Sequence, residues 1–204
     1  MISSGHPVLD SFLDGYSHRI TSVYGASSTG KTTLALLLTL SFVKNGKKVL
    51  FFDVEDSFSV SRFEQLAGCD VKEYLERVFL LKPRTFHEQH RMIKQLPLFL
   101  ESGKFSLVIV DTLTVYYRQL VHREEEIAKA MMKLQLRILK NCGVPVFVTN
   151  QVFSSFSDTS LVPVAGSLLR SYVDKSFQLC LDPRHLVFEK KKLGFSLSRE
   201  GFVF

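Results

Sequence analysis

A chain of 204 residues, 46% hydrophobic and 23% charged, has ordinary globular composition and is long enough to bury a large core as one large domain or two small ones. Its net charge of +6 is compatible with a nucleic-acid partner without requiring one. Three scattered cysteines with no C-x-x-C pair argue against a disulfide framework or a zinc site, and the opening MISSGHPVLD is no signal peptide, so a soluble, cytoplasmic protein is expected.

Taken in order, residues 1–19 hold a short helix that Ser4 is placed to cap. Val8, Leu9, Phe12 and Leu13 are its apolar positions and Gly15 its end. Residues 20–24 are apolar and β-branched and predict a buried strand. Gly25-Ala26-Ser27-Ser28-Thr29-Gly30-Lys31-Thr32 then matches G-x-x-x-x-G-K-[ST] at every fixed position, and Thr33 leads into an apolar run of helix formers. Strand, glycine loop and helix together are the context a phosphate-binding loop needs. Gly25 and Gly30 can take backbone angles closed to other residues, so successive N–H groups point inward at phosphate oxygens. The helix beginning near Lys31 adds the positive end of its dipole. Lys31 is placed to reach the β- and γ-phosphates of ATP, and the Thr32 hydroxyl to complete a Mg²⁺ shell. Thr39 and Ser41 interrupt the apolar run well short of the ~20 residues that span a bilayer, so no membrane segment is expected.

After a turn at Asn45-Gly46, residues 48–52 read as a second buried strand. It ends in the acidic cluster Asp53-Val54-Glu55-Asp56, at the strand end that faces the ligand in doubly wound folds. A helix over 61–75 and a strand over 78–81 follow. Residues 86–100 read as one helix despite Pro97, closed by Gly103. His87 and His90 share a helix face, but no further metal ligand is nearby. Residues 107–110 (LVIV) form a strand ending on Asp111, whose carboxylate orders water around Mg²⁺. A long amphipathic helix covers 123–142 and a strand 144–149, closing on Asn150 and Gln151. Residues 153–163 are a serine-rich loop with Phe156 at its centre, of the kind that is functional beside strand ends. A short helix over 166–172 precedes four short strands, 175–181, 185–190, 195–198 and 202–204, read as an antiparallel meander on the sheet edge. The whole is an α/β fold, a mostly parallel central sheet flanked by helices with antiparallel C-terminal edge strands, as a single domain over 1–204.

The order of these stretches resembles the RecA/RadA recombinase ATPase core, and within that family most resembles the archaeal RadB paralogues. ISSGHPVLDSFLDG, FFDVEDSFSVSRF, LVIVDTLTVYYR, VPVFVTNQV and PVAGSLLRSYVDKSFQL each resemble a family segment, and LKPRTFHEQ one associated with RadB. The resemblance implies a RecA-like P-loop ATPase of recombination and repair, weakly active, using ATP and Mg²⁺. Its partners would be single- or double-stranded DNA, a recombinase and further copies of itself, with the active site often completed by an adjacent subunit. It gives Glu55 the role of polarising the attacking water, in agreement with a carboxylate on the neighbouring strand end across from the γ-phosphate. It gives Gln151 that of sensing the γ-phosphate, with Lys31 beside them, and places Arg62 near the adenine. Arg118 and Arg123 match the first DNA loop, and 153–163 with Phe156 the second. Arg170 and the basic run Lys190, Lys191 and Lys192 are further candidates for phosphate contacts.

Three departures stand out. The chain starts at the core, without the family's small helical N-terminal domain and subunit linker. The first DNA loop is shorter, and Asp56 stands where the family has glycine. The first two favour an alternative, a recombination mediator that uses nucleotide only as a switch. Glu55-Asp56 faintly resembles the paired acids of a KaiC-like regulatory ATPase, a further alternative; a small-molecule kinase would need a basic lid, which the sequence lacks.

Overall fold

The computed structural model of the chain describes residues 2–153 and 162–204. The first helix, α1 (Pro7–Leu13), starts at a proline, whose missing N–H is unneeded there. His6, not Ser4, holds the cap position. The Ser4 hydroxyl instead donates to Asp10 (2.7 Å) and accepts from the His6 N–H (3.1 Å), bracing the loop ahead of the helix. Strand β1 (Ile20–Gly25) runs into the glycine loop and α2 (Lys31–Lys44). That helix is apolar almost all round and correspondingly buried, with the Thr39 hydroxyl satisfied by the Ala35 carbonyl at 2.8 Å.

Strand β2 (Lys48–Asp53) precedes α3 (Val60–Ala67) and α4 (Lys72–Leu75), which replace the single helix expected over 61–75. The break is local chemistry. Gly68 takes φ +68° and returns its N–H to Glu64, and Asp70 turns the chain by accepting from the Lys72 N–H. After β3 (Val78–Leu81), the helix expected over 86–100 is likewise two, α5 (Phe86–Lys94) and α6 (Leu96–Glu101). Pro97 has no N–H for an interior turn, so it sits in the first turn of α6.

Strand β4 (Phe105–Asp111) leads to α7 (Val115–Val121), a helix where a loop was expected, and then α8 (Glu125–Lys140) and β5 (Val146–Asn150). The two-residue strands β6 (Val152–Phe153) and β7 (Val162–Pro163) pair as the neck of the segment between them. They are followed by α9 (Gly166–Arg170), β8 (Lys175–Leu181), β9 (Arg184–Phe188), β10 (Lys191–Gly194), β11 (Ser196–Ser198) and β12 (Gly201–Val203).

Eight strands form one sheet in the order β10-β9-β8-β1-β5-β4-β2-β3, parallel from β8 to β3 and antiparallel at β9 and β10. Alternation along the strands divides the core. Val23, Phe51, Ile109, Phe147, Phe177 and Leu179 pack against α2. Ile20, Leu50, Phe52, Val108, Val110 and Val148 pack under α5, α7, α8 and α9. Both faces are covered, which is why the inner strands read as unbroken apolar runs. Of the expected meander, β8 and β9 hold; β10 (Lys191–Gly194) pairs with β9 over residues expected to end a strand and turn. Strands β11 and β12 leave the sheet and form a separate hairpin against α2. Phe195, Phe202 and Phe204 gather there, the first two with ring centres 4.7 Å apart, so aromatic burial under the glycine loop outweighs extension of the sheet edge. No helix among the described residues is long and apolar enough to cross a membrane.

Candidate nucleotide site

The strand order reverses at β1, so the carboxyl ends of β1, β2, β4 and β5 open on one crevice. The glycine loop lines it. Gly25 is dictated by its neighbour, because a Cβ there would stand 2.3 Å from the Leu179 carbonyl of β8. Gly30 takes φ +108° against Leu197 and Phe202 of the β11–β12 hairpin. Buried Thr29 ties the loop by donating to the Ala26 carbonyl at 2.9 Å. Ser27 and Ser28 are exposed at its rim, and Thr32 and Thr33 are half-buried in the first turn of α2. The Lys31 ammonium donates to the Gly25 and Ala26 carbonyls at 2.9 and 2.7 Å. Burial draws its pKa down, and the charges of Asp111 and Glu55 oppose the fall.

Asp111, 1% exposed, accepts from Thr32 Oγ1 (2.8 Å), Ser57 Oγ (3.0 Å) and Thr149 Oγ1. Burial pushes its carboxyl pKa up against the pull of these three hydroxyls, with Glu55 adding to the rise. Glu55 lies two residues beyond β2 and accepts from Gln151 Nε2 (2.9 Å) and from Thr112 Oγ1. The Thr149 and Thr112 hydroxyl oxygens lie 3.2 Å apart, so the donors to the two carboxylates are neighbours. Lys31, Thr32, Asp111, Glu55 and Gln151 thus converge from four separate segments.

This arrangement fits ATP with Mg²⁺. The loop is a backbone cradle that a Cβ at Gly25 would disrupt, and the Thr32 hydroxyl sits on a buried carboxylate. Mg²⁺ characteristically takes one or two such ligands, with the substrate's own phosphates and water completing the shell.

The remaining candidates lie further out. The Arg62 guanidinium grips the hairpin, donating to the Ser198 and Arg199 carbonyls (3.0 and 2.9 Å) and to Gln65. Arg118 is exposed on α7 and stacks over the Phe153 ring at 5.3 Å. Arg123 follows α7, Arg170 ends α9, Lys190 lies in the β9–β10 turn, and Lys191 and Lys192 lie on β10, all exposed. Phe156 lies outside the described residues.

Sequence reasoning passed over Thr112, Thr149, Ser57, Lys82 and Arg184. Thr112 and Thr149 carried a usable signal, a hydroxyl residue at a strand end beside Asp111 or Asn150. Arg184, which donates to the Ser28 carbonyl at 3.0 Å, carried none.

A nucleotide crevice built on this sheet order, with the glycine loop after β1 and the acidic ends of β2 and β4 facing it, defines a P-loop protein of RecA-like fold. The comparisons narrow the class. The Rad51 family model matches residues 1–168, and the chain belongs to that family. It is similar to the DNA repair and recombination protein RadB of Thermococcus kodakarensis, 39% identical over 176 residues that cover 83% of this chain and 78% of that protein. To the RadB of Pyrococcus abyssi it is 36% identical over 203 residues, 97% of this chain and 82% of that protein. A crystal structure of the RadB recombinase matches with a TM-score of 0.80 at 34% identity, covering 99% of this chain and 98% of that one. Within the family the chain is RadB-like.

Proposed function

We propose that this chain is a single-domain, ATP- and DNA-binding RecA-like protein of recombination and repair, and that it hydrolyses ATP slowly with Mg²⁺. Family membership and the names of its RadB relatives support the cellular role. The observation that carries the chemistry is the Glu55–Gln151 hydrogen bond, which sets a carboxylate across the crevice from Lys31.

Residues Gly25, Ala26, Ser27, Ser28, Thr29, Gly30, Lys31, Thr32 and Thr33 hold the triphosphate, and Thr32 with Asp111 holds the metal. Bound Mg²⁺, held by Thr32 and Asp111, would supply positive charge against the charge that builds up on the phosphates. Lys31 adds a fixed positive charge at the same place, in a water-poor site where such charges act strongly. Glu55 orients the attacking water and takes up its proton through a carboxylate oxygen. Gln151 stands between Glu55 and the neck strand β6, its own carbonyl accepting from the Val164 N–H at 2.9 Å. That position suits a residue that reports nucleotide state to the 153–163 segment and so to DNA. Arg118, Arg123, Arg170, Phe156 and Lys190 to Lys192 are the proposed DNA contacts.

A second reading has its own support. Both Glu55 oxygens are already engaged, by Gln151 and Thr112, as suits a nucleotide switch that regulates a recombinase with negligible turnover. ATP hydrolysis with and without single-stranded DNA separates the two. DNA-stimulated turnover that Glu55→Gln abolishes supports the ATPase reading. Tight ATP binding with no turnover in either condition supports the switch.

A further inference from the structure

The turn that carries Glu55 packs three carboxylates, Asp53, Glu55 and Asp56, into four positions, and Asp53 pairs in register with Asp111 on β4. Like charges so close push the turn open unless something holds it. Asp53 supplies part of the answer. Its side chain is fully buried, and Oδ1 accepts from the Ser57 N–H (2.7 Å) and the Phe58 N–H (3.3 Å), folding the chain back on itself. Its Oδ2 is buried without a hydrogen-bond partner among the described residues, and Lys82 Nζ faces it at 3.5 Å. The same ammonium pairs with Asp56, a non-glycine residue at φ +54°. Lys82 follows β3 directly, so the sheet delivers it to this place, and Pro83 restricts its backbone. From the other side, Tyr116 Oη donates to the Val54 and Pro83 carbonyls at 3.3 Å each. The residues immediately before and after Glu55 are therefore both tied to the 82–83 segment, around a cleft of about 340 Å³ that Glu55 also lines.

We infer that Lys82 is a positioning residue for Glu55: its ammonium, set between the Asp53 and Asp56 carboxylates, fixes the turn that points Glu55 at the crevice. This rests on reading Glu55 as the water-orienting carboxylate. The two arms of the clamp are unequal. Asp56 is mostly exposed and Lys82 half-exposed, and ion pairs of that kind contribute little. Asp53 is buried, and a buried carboxylate deprived of the cation that faces it is strongly disfavoured. The hydrogen bond with Asp56 raises the Lys82 pKa and lowers that of Asp56, so both stay charged across the working range.

The test compares Lys82→Met, Lys82→Arg and Asp56→Asn in ATP turnover, in affinity for a fluorescent ATP analogue, and in amide hydrogen exchange of the 53–58 turn. Lys82→Met should lower kcat about tenfold, the scale set by a small misplacement of a catalytic group, with KM and nucleotide affinity within about twofold of wild type. Lys82→Arg should restore most of the loss, and Asp56→Asn should cost about twofold. The Ser57 and Phe58 amides should exchange faster in Lys82→Met and at the wild-type rate in Lys82→Arg. Wild-type turnover in Lys82→Met, or nucleotide affinity falling together with kcat, overturns the inference. If wild type and Glu55→Gln hydrolyse ATP equally, the reading of Glu55 fails by itself. The exchange data then decide alone: unchanged protection of Ser57 and Phe58 in Lys82→Met overturns the clamp, and lost protection upholds it.

Discussion

The Gln151 side-chain amide donates to the Glu55 carboxylate at 2.9 Å, although the two residues are 96 positions apart in the chain. Gln151 directly follows β5, and Glu55 sits in the turn beyond β2. The bond joins the turn beyond β2 to the neck strands β6 and β7, which flank residues 154–161.

A Gln151→Ala variant should therefore separate nucleotide binding from its consequences. The cradle for the triphosphate is untouched, so ATP affinity should change less than about threefold, as expected when a lost contact is worth well under 1 kcal/mol to binding. Stimulation of turnover by single-stranded DNA should fall to the basal level. Titration with an ATP analogue, together with steady-state hydrolysis with and without DNA, checks both halves. Full DNA stimulation in Gln151→Ala would show that the coupling runs elsewhere.

Gly25→Ala is expected to damage the fold before it damages chemistry. The added Cβ meets the Leu179 carbonyl at 2.3 Å and Thr29 Oγ1 at 3.0 Å, and the first of these is backbone that cannot swing away. Strands β1 and β8 must part to admit it, a strain of about 1–3 kcal/mol or more. For a domain of this size each kcal/mol shifts Tm by about 2–4 °C, so a fall of about 5 °C or more is expected by calorimetry. An unchanged Tm would mean that β8 packs less closely on β1 than described.

Asp111 should show stability and function pulling in opposite directions. Burial raises its folded pKa above the unfolded value, so the folded chain binds that proton more tightly. Stability from this group therefore falls as pH rises through the window between the two values, and at neutral pH the buried charge is a net cost. Asp111→Asn should raise the Tm of the nucleotide-free chain near neutrality, by about 3 °C for each kcal/mol relieved. The Thr32, Ser57 and Thr149 hydroxyls can rotate to suit the amide. The gain should shrink towards acid pH, where wild type is itself protonated, and Mg²⁺-dependent ATP binding should be lost. Melting curves over the acid-to-neutral range, with and without Mg²⁺·ATP, read all three effects.

The parallel sheet and the glycine loop were legible because the physics behind them is local. Two faces of buried strand make an apolar run, and a phosphate cradle needs glycine at fixed spacing. Asp111 was legible for the same reason, as a charge at the end of such a run. The helix breaks at Gly68 and Pro97 follow from single residues whose backbone preferences were outweighed, in reading, by the apolar periodicity around them. The departure of β11 and β12 from the sheet was not legible. Their residues alternate as any edge strand does, and only the clustering of Phe195, Phe202 and Phe204 beside Gly30 decides where they go. Arg62 belongs with them, since its carbonyl partners at 198 and 199 are more than 130 residues away in the chain.

The contact of Gly30 with Leu197 and Phe202 also sets an order of events during synthesis. The glycine loop is made well before residues 196–203, yet these form one of its walls. While the chain is growing, the strand and helix on either side of the loop can form, but the cradle stays open on the hairpin side. The cradle should therefore be completed late, once the hairpin has emerged and Arg62 has closed on it.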